Sequence, residues 1–177
     1  YELAYAMGDL MDNYLYDMKI VQEFAELNRR AMANEIIKGM KVDVEEIIST
    51  VHNYIDLDSK ILRKGAVSAK FGEKLIIPMN MRDGCLLCIG KGNYTWNFSA
   101  PHGAGRLMNR KDAKESFTVS QYKKEMKGIY STSINKNTLD ESPMAYKPME
   151  SIINIIGETV DIIERTHPIY NFKSSEG

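Results

Sequence analysis

Cysteine and histidine are scarce in this chain. Two cysteines allow at most one disulfide, so a disulfide-stapled secreted scaffold is excluded and a reducing, cytoplasmic setting is expected. The three histidines are His52, His102 and His167, so a metal centre here must also draw on carboxylates, thiolates or residues outside the chain. No apolar run reaches the roughly 18 residues of a membrane span, and no secretory signal pattern opens the sequence. No membrane partner is expected. Excess charge is also absent. With 23 Lys and Arg against 24 Asp and Glu the formal charge is −1, so any nucleic acid must be met by a local basic patch. "RLMNRKDAK" and "QYKKEMK" can supply one, or serve as solvated helix faces. No internal repeat or low-complexity segment is present.

What is there reads as a globular chain. Hydrophobic residues make up 44% and charged residues 27% of 177 positions, which suits one ordinary domain or part of a larger one with a sizeable core. The first residue is Tyr1, as expected of a processed form, a trimmed chain or a fragment. Residues 10–40 carry Tyr14, Met18, Val21, Ala25, Met32 and Ile36 at helical spacing, which predicts one long helix with Gly39 as its stop. "DVEEIIST" predicts a second helix, capped by Asp43 with Glu46 three residues on. "EKLIIP" and "GCLLCIG" are short apolar runs bounded by Gly and Pro and predict strands. Six glycines between Ile61 and Ala104 predict tight turns. Helix is expected from Arg110 to about Met126, a strand in "KGIYSTS" and a loop in "NKNTLDESP". "PMESIINIIGETVDIIER" predicts a last helix, with Ile152, Ile156, Val160 and Ile163 on one face and an extended or irregular tail, "THPIYNFKSSEG", after it. The class is α+β.

The chemistry concentrates in "SAPHGAGRLMNRKDA". A neutral imidazole at His102 is a nucleophile or a metal ligand near neutral pH. Gly103 and Gly105 let main-chain N–H groups approach an anion, and the planar fork of Arg106 suits phosphate oxygens. A structural turn would use the same glycines. Taken alone, His52 in "STVHNYID" is a structural histidine or a ligand. Arg63, Lys64, Lys70 and Lys91 lie beside glycines and could line a phosphate path or a surface loop. Cys85 and Cys88 form a C-x-x-C, but three residues apart on a strand they face opposite sides, so core packing is the expectation.

Set in order, "VHNY", "RKGA", "IIPMNMRDGCLLCIGKGN", "SAPHGAGRLMNR", "DESPMAYK" and "HPIYNFK" resemble the C-terminal portion of the RtcB family of RNA ligases. The likeness spans essentially all 177 residues and is weaker before Val51. It implies a partial RtcB-like fold: a glycine-rich β core, flanking helices, a long N-terminal helix and a C-terminal helix. Residues 1–177 are then the C-terminal portion of a single catalytic domain, whose N-terminal half is not in this sequence.

The implied activity is a GTP- and manganese-dependent joining of RNA 3′-phosphate or 2′,3′-cyclic phosphate ends to 5′-hydroxyl ends, in tRNA splicing or RNA repair. By this resemblance His102 becomes guanylylated and Arg106 contacts phosphate. Gly103, Ala104, Gly105, Asn80, Tyr146 and Lys173 fall at the nucleotide, and His52 is a manganese ligand. Arg63, Lys64 and Arg110 fall along the RNA or phosphate path. RNA ends are the implied substrates, and archease a protein partner.

Two departures stand out. "PMNMR", Pro78 to Arg82, replaces the family's P-G-S-M-G, and Asn109 stands where a serine is usual. The family's remaining metal ligands, an acidic residue, a cysteine and two histidines, precede the matching region. The isolated chain is therefore expected to be incomplete and inactive by itself. A non-catalytic nucleotide- or RNA-binding module built on the ligase fold is the rival expectation.

Overall fold

The computed structural model describes residues 4–173; the "SSEG" end of the tail lies outside them. The chain divides into two compact units, one comprising residues up to Ile47 with Asn53–Lys64, the other Ile48–His52 with Gly65 onward.

The first unit holds α1 (Asp9–Met40) and an antiparallel hairpin, β1 (Asn53–Asp56) and β2 (Ile61–Lys64). The helix is the one predicted, but its contact face is rotated. Met11, Leu15, Met18, Gln22, Ala25, Arg29 and Ala33 are half-buried, whereas Tyr14, Val21, Met32 and Ile36 are exposed. Gln22 explains the shift. Its carboxamide accepts from the Ile55 N–H at 2.7 Å and donates to the Ile55 carbonyl at 3.1 Å, as a neighbouring strand would. Apolar periodicity alone passes over such a polar anchor. The helix ends one residue beyond the predicted glycine, at Met40, with Lys41 left-handed.

No helix forms at "DVEEIIST". That stretch is irregular, consistent with its run of β-branched residues, and Thr50 Oγ1 accepts from the Ile76 N–H at 3.3 Å.

The second unit is built on a three-stranded antiparallel sheet, ordered β4 (Lys74–Asn80), β5 (Gly84–Gly90), β8 (Val160–Thr166). A separate pair, β3 (Ala66–Ser68) with β6 (Ser99–Pro101), lies in the same unit. Strands β4 (Lys74–Asn80) and β5 (Gly84–Gly90) are the two predicted apolar runs. They alternate as strands should: Leu75, Ile77, Met79, Leu86 and Cys88 point into a core shared with Val67, Ala100, Ala104, Ile152, Ile156 and Val160. The register slips between Pro78 and Asn80, so a bulge sits where β4 enters the "PMNMR" turn.

Beyond the sheet, α2 (Arg110–Ser116) and α3 (Val119–Glu125) divide the predicted helix at Phe117 and Thr118. The Thr118 hydroxyl and the Gln121 side chain form a capping box that starts α3 afresh. Strand β7 (Tyr130–Ser131) is two residues long and pairs in parallel with the tail. The expected loop "NKNTLDESP" contains a 3-10 turn, Lys136–Glu141, and a second, Pro143–Ala145, begins at its last residue.

The last predicted helix is corrected. Helix α4 covers only Met149–Ile156, and Val160–Thr166 is strand β8, followed by β9 (Tyr170–Asn171). Ile156 and Val160 are four apart, and four residues return to the same side of a strand as well as nearly the same face of a helix. Ile163 breaks the tie. It is odd-numbered from Val160, and it is 54% exposed where Val160 is buried.

Candidate active site

His102 follows β6 directly, and β6 pairs with β3, which begins one residue after Gly65. This pairing brings Gly65 to the imidazole: His102 Nδ1 lies 2.6 Å from the Gly65 carbonyl oxygen. A carbonyl only accepts, so Nδ1 carries the hydrogen, and in the neutral imidazole Nε2 is then the nitrogen with the lone pair. The same glycine donates its N–H to the His52 carbonyl at 2.7 Å. The two imidazoles stack, with centroids 4.9 Å apart and planes 12° from parallel. Gly65 has φ +71°, a left-handed conformation that this double attachment requires and that a side chain would strain.

The glycines after His102 fit the loop against β4. The Ala104 N–H donates to the Pro78 carbonyl at 3.2 Å, and a Cβ on Gly103 would stand 2.9 Å from that same oxygen. On the other side, Lys147 N–H donates to Gly105 O and Leu107 N–H to Ala145 O, which sets Arg106 opposite Tyr146.

The Arg106 guanidinium makes three hydrogen bonds. It donates to the Asp140 carbonyl at 2.5 Å, to Glu141 Oε1 at 2.8 Å and to the Tyr146 hydroxyl at 2.8 Å, and it lies 4.7 Å from the Tyr146 ring centre. Arg110 donates to Asp140 Oδ2 at 2.5 Å and Glu141 Oε1 at 2.6 Å. Tyr146 donates to Glu141 Oε2 at 2.9 Å, and Lys173 Nζ stands 3.5 Å from the same oxygen. Burial pushes the Glu141 carboxyl up, but the hydrogen bonds from Arg110 and Tyr146 and the charges of Lys173 and Arg106 outweigh it, leaving the pKa below the usual value. Burial and the Glu141 carboxylate push Tyr146 up to about 12.

These groups face a cavity of about 740 Å³ in the second unit. Its walls are the Pro78–Met81 turn, the His102–Arg106 loop, Arg110, Glu141, Tyr146 and the tail from Thr166 to Lys173. The structure thus brings His102, Gly103, Ala104, Gly105, Arg106, Arg110, Asn80, Tyr146 and Lys173 to one cavity. The Asn80 amide is largely committed to its own turn: its carbonyl accepts from Arg82 N and Asp83 N, and its amide donates to Asp83 Oδ2.

Arg63 and Lys64 belong to the first unit. Strand alternation sends them to opposite faces. Arg63 is buried, donating to the Tyr54 hydroxyl at 3.0 Å with Asp56 Oδ2 at 3.7 Å, while Lys64 is exposed.

Several lining residues escaped the sequence reading. Glu141 sat in an expected loop and His167 in an expected extended or irregular tail, and neither was given a role. The sequence hint for both is their place within "DESPMAYK" and "HPIYNFK".

Among the described residues no three His, Cys, Asp or Glu side chains converge to hold an ion. His52 offers one imidazole, and His102 has committed Nδ1 to Gly65. The cysteines are separated by the strand as expected, with Cys88 buried and its thiol pushed up to about 11 by that burial. Among the described residues no helix is long and apolar enough to cross a membrane.

Comparison with known proteins matches residues 1–174 to the family described as tRNA-splicing ligase RtcB. The RNA-splicing ligase RtcB of Escherichia coli K12 is 31% identical over 183 residues, covering 92% of this chain and 44% of that protein. The tRNA-splicing ligase RtcB of Aeropyrum pernix is 30% identical over 180 residues, covering 81% and 37%. The one from Nanoarchaeum equitans is 28% identical, covering 95% and 44%. The chain spans less than half the length of each of these relatives.

Proposed function

The chain belongs to the RtcB family of RNA ligases, and from that premise we propose that it is the C-terminal, nucleotide-carrying portion of a GTP-dependent ligase. The observation that carries this is the Gly65–His102 hydrogen bond. It leaves Nε2 as the basic nitrogen of an imidazole at the wall of a cavity rich in cations.

The proposed reaction follows from that tautomer. His102 Nε2 attacks the α-phosphorus of GTP. An N–P bond forms, the bond from the α-phosphorus to the bridging oxygen breaks, and pyrophosphate leaves with that electron pair. The positive charge that develops on the imidazole is stabilised by the Gly65 carbonyl through Nδ1–H. An RNA 3′-phosphate oxygen then attacks the same phosphorus and releases His102, giving an activated 3′ end. A 5′-hydroxyl attacks that end, and GMP departs. A 2′,3′-cyclic phosphate is first opened to the 3′-phosphate.

Gly103 to Gly105 offer a Cβ-poor approach for phosphate oxygens, and Arg106, Arg110 and Lys173 supply positive charge. Tyr146 and Asn80 border the nucleotide. Arg63 and Lys64 remain candidates for the RNA path only where the first unit meets substrate. Manganese is part of the reading, with His52 as the ligand this chain contributes and the remainder supplied from elsewhere. RNA ends are the substrates, archease is a candidate partner, and the setting is cytoplasmic.

The test is covalent labelling. The chain, together with the segment or partner that supplies the remaining metal ligands, is incubated with manganese and α-labelled GTP beside its His102→Ala variant. Label on the first and none on the second is expected. Label that survives the substitution removes His102 as nucleophile. No label on either favours a nucleotide-binding module without the reaction.

A further inference from the structure

Four cavity groups from four stretches of sequence meet on one carboxylate. Arg106 comes from the loop after β6, Arg110 from the start of α2, Tyr146 from beyond the second 3-10 turn and Lys173 from the tail. Glu141, their common partner, ends the first 3-10 turn, and its side chain is only 17% exposed. That turn is itself pinned by Asn135, whose side chain accepts at its start, and by Thr138, which is buried and bonded to the Ser133 carbonyl. Glu141 therefore sits on a pinned turn and is reached by four partners.

Arg106, Arg110 and Lys173 meet two carboxylates, Glu141 and the Asp140 that Arg110 also reaches, so positive charge is still in excess, and its more exposed carriers are Arg110 and Lys173. Arg106 has other fixed partners, the Asp140 carbonyl and the Tyr146 hydroxyl. Arg110 is 65% exposed and Lys173 42% exposed, and Lys173 stands off at 3.5 Å. A phosphoryl group entering the cavity offers Arg110 and Lys173 the same kind of oxygen that Glu141 offers them now.

We infer that Glu141 is a placeholder anion: it keeps Arg106, Arg110, Tyr146 and Lys173 convergent in the ligand-free site and yields Arg110 and Lys173 to an incoming phosphate. The inference rests on the ligase reading for the anion's identity, a nucleoside triphosphate, and on the geometry for everything else. Glu141 is a positioning residue, because it acts through the cations. It has two opposed effects. Its charge repels the anion and competes for the donors, so it weakens binding. Its bonds to Arg106 and Tyr146 orient them, so it favours the step that follows.

The two effects separate in Glu141→Gln. Removing one charge beside a bound polyanion in a half-buried site is expected to tighten inorganic pyrophosphate binding by about three- to tenfold, measured by calorimetry at matched ionic strength. The same variant should be labelled by GTP with a lower KM and a lower kcat, whereas a merely structural residue would degrade both. Glu141→Asp, gentler on the fold, draws the carboxylate back by one methylene and should tighten pyrophosphate in the same direction by less. Should Glu141→Gln fail to fold, the Asp variant decides. Equal or weaker binding by the folded variants, or no pyrophosphate binding by any form, overturns the inference. Intact pyrophosphate effects without His102 label would instead remove the ligase reading and leave the role of Glu141 standing.

Discussion

His52 and His102 are stacked at 4.9 Å, and one peptide unit serves both: Gly65 donates to the His52 carbonyl and accepts from His102 Nδ1. The backbone at Gly65 therefore sets the chemistry of a side chain 37 residues away.

Gly65→Ala should damage the site out of proportion to the fold. The left-handed φ of +71° costs a non-glycine residue about 1–2 kcal/mol, while the new Cβ meets the His102 ring at an ordinary 3.5 Å. An unfolding free energy in urea lowered by that amount is expected, together with a larger loss in labelling rate because the carbonyl turns away from Nδ1. A variant with normal stability and normal labelling would show that the tautomer is fixed some other way.

Gly103→Ala should fail for a different reason. Its added methyl would stand 2.9 Å from the Pro78 carbonyl and force the loop off β4, breaking the Ala104–Pro78 hydrogen bond. Loss of about 1–3 kcal/mol in denaturant unfolding, with loss of labelling, is the expected pair of readouts.

Acid should loosen the turn that replaces the two glycines and the serine. Arg82 donates to Asp83 through Nε at 2.7 Å and Nη2 at 3.1 Å and also pairs with Glu125 on α3. The Arg82 hydrogen bond holds the Asp83 carboxyl below its ordinary 3.8 despite partial burial. A depressed carboxyl pKa stabilises the fold fully above that ordinary value, and the contribution is lost as pH falls through the lower folded value. Glu141 acts in the same sense from its ordinary 4.5. Unfolding free energies measured from pH 6 down to pH 3 should fall, and the fall should be shallower in Asp83→Asn. An unchanged slope in that variant would dissociate the turn from acid sensitivity.

The thiols should behave as two separate groups. Cys88 is buried with its thiol pushed up to about 11, and Cys85 is half-buried and also raised by burial. Thiolate is the reactive form, so at pH 8 a disulfide reagent should modify Cys85 slowly and Cys88 only on unfolding. Rapid, paired reaction or a zinc-dependent block would contradict the strand geometry.

The residues that sequence placed best were those whose signal is local. "EKLIIP" and "GCLLCIG" became β4 and β5 because short apolar runs between turn residues have few alternatives. His102 and its glycines were legible because the chemistry sits within five residues. The α1 face was not, because its anchor is the polar Gln22. Strand β8 was hidden because Ile156 and Val160 satisfy both periodicities, and "DVEEIIST" carried capping residues without a helix to cap. Glu141 falls inside the quoted "DESPMAYK", but its role was not legible. Apart from Tyr146 its partners lie 31 to 35 residues away, and nothing in its own neighbourhood announces them.

The tail contacts carry a kinetic consequence. Asn171 reaches the Met81 carbonyl across 90 positions, and Thr166 reaches Cys85 across 81. Closing loops of that length is slow to begin, although each doubling of length adds only about 0.6 kcal/mol. By that argument the cavity wall that holds Lys173 is expected to close after the local β4–β5 hairpin has formed. A chain arrested before that closure would already hold His102 and its glycine loop, yet lack the wall that completes the cavity.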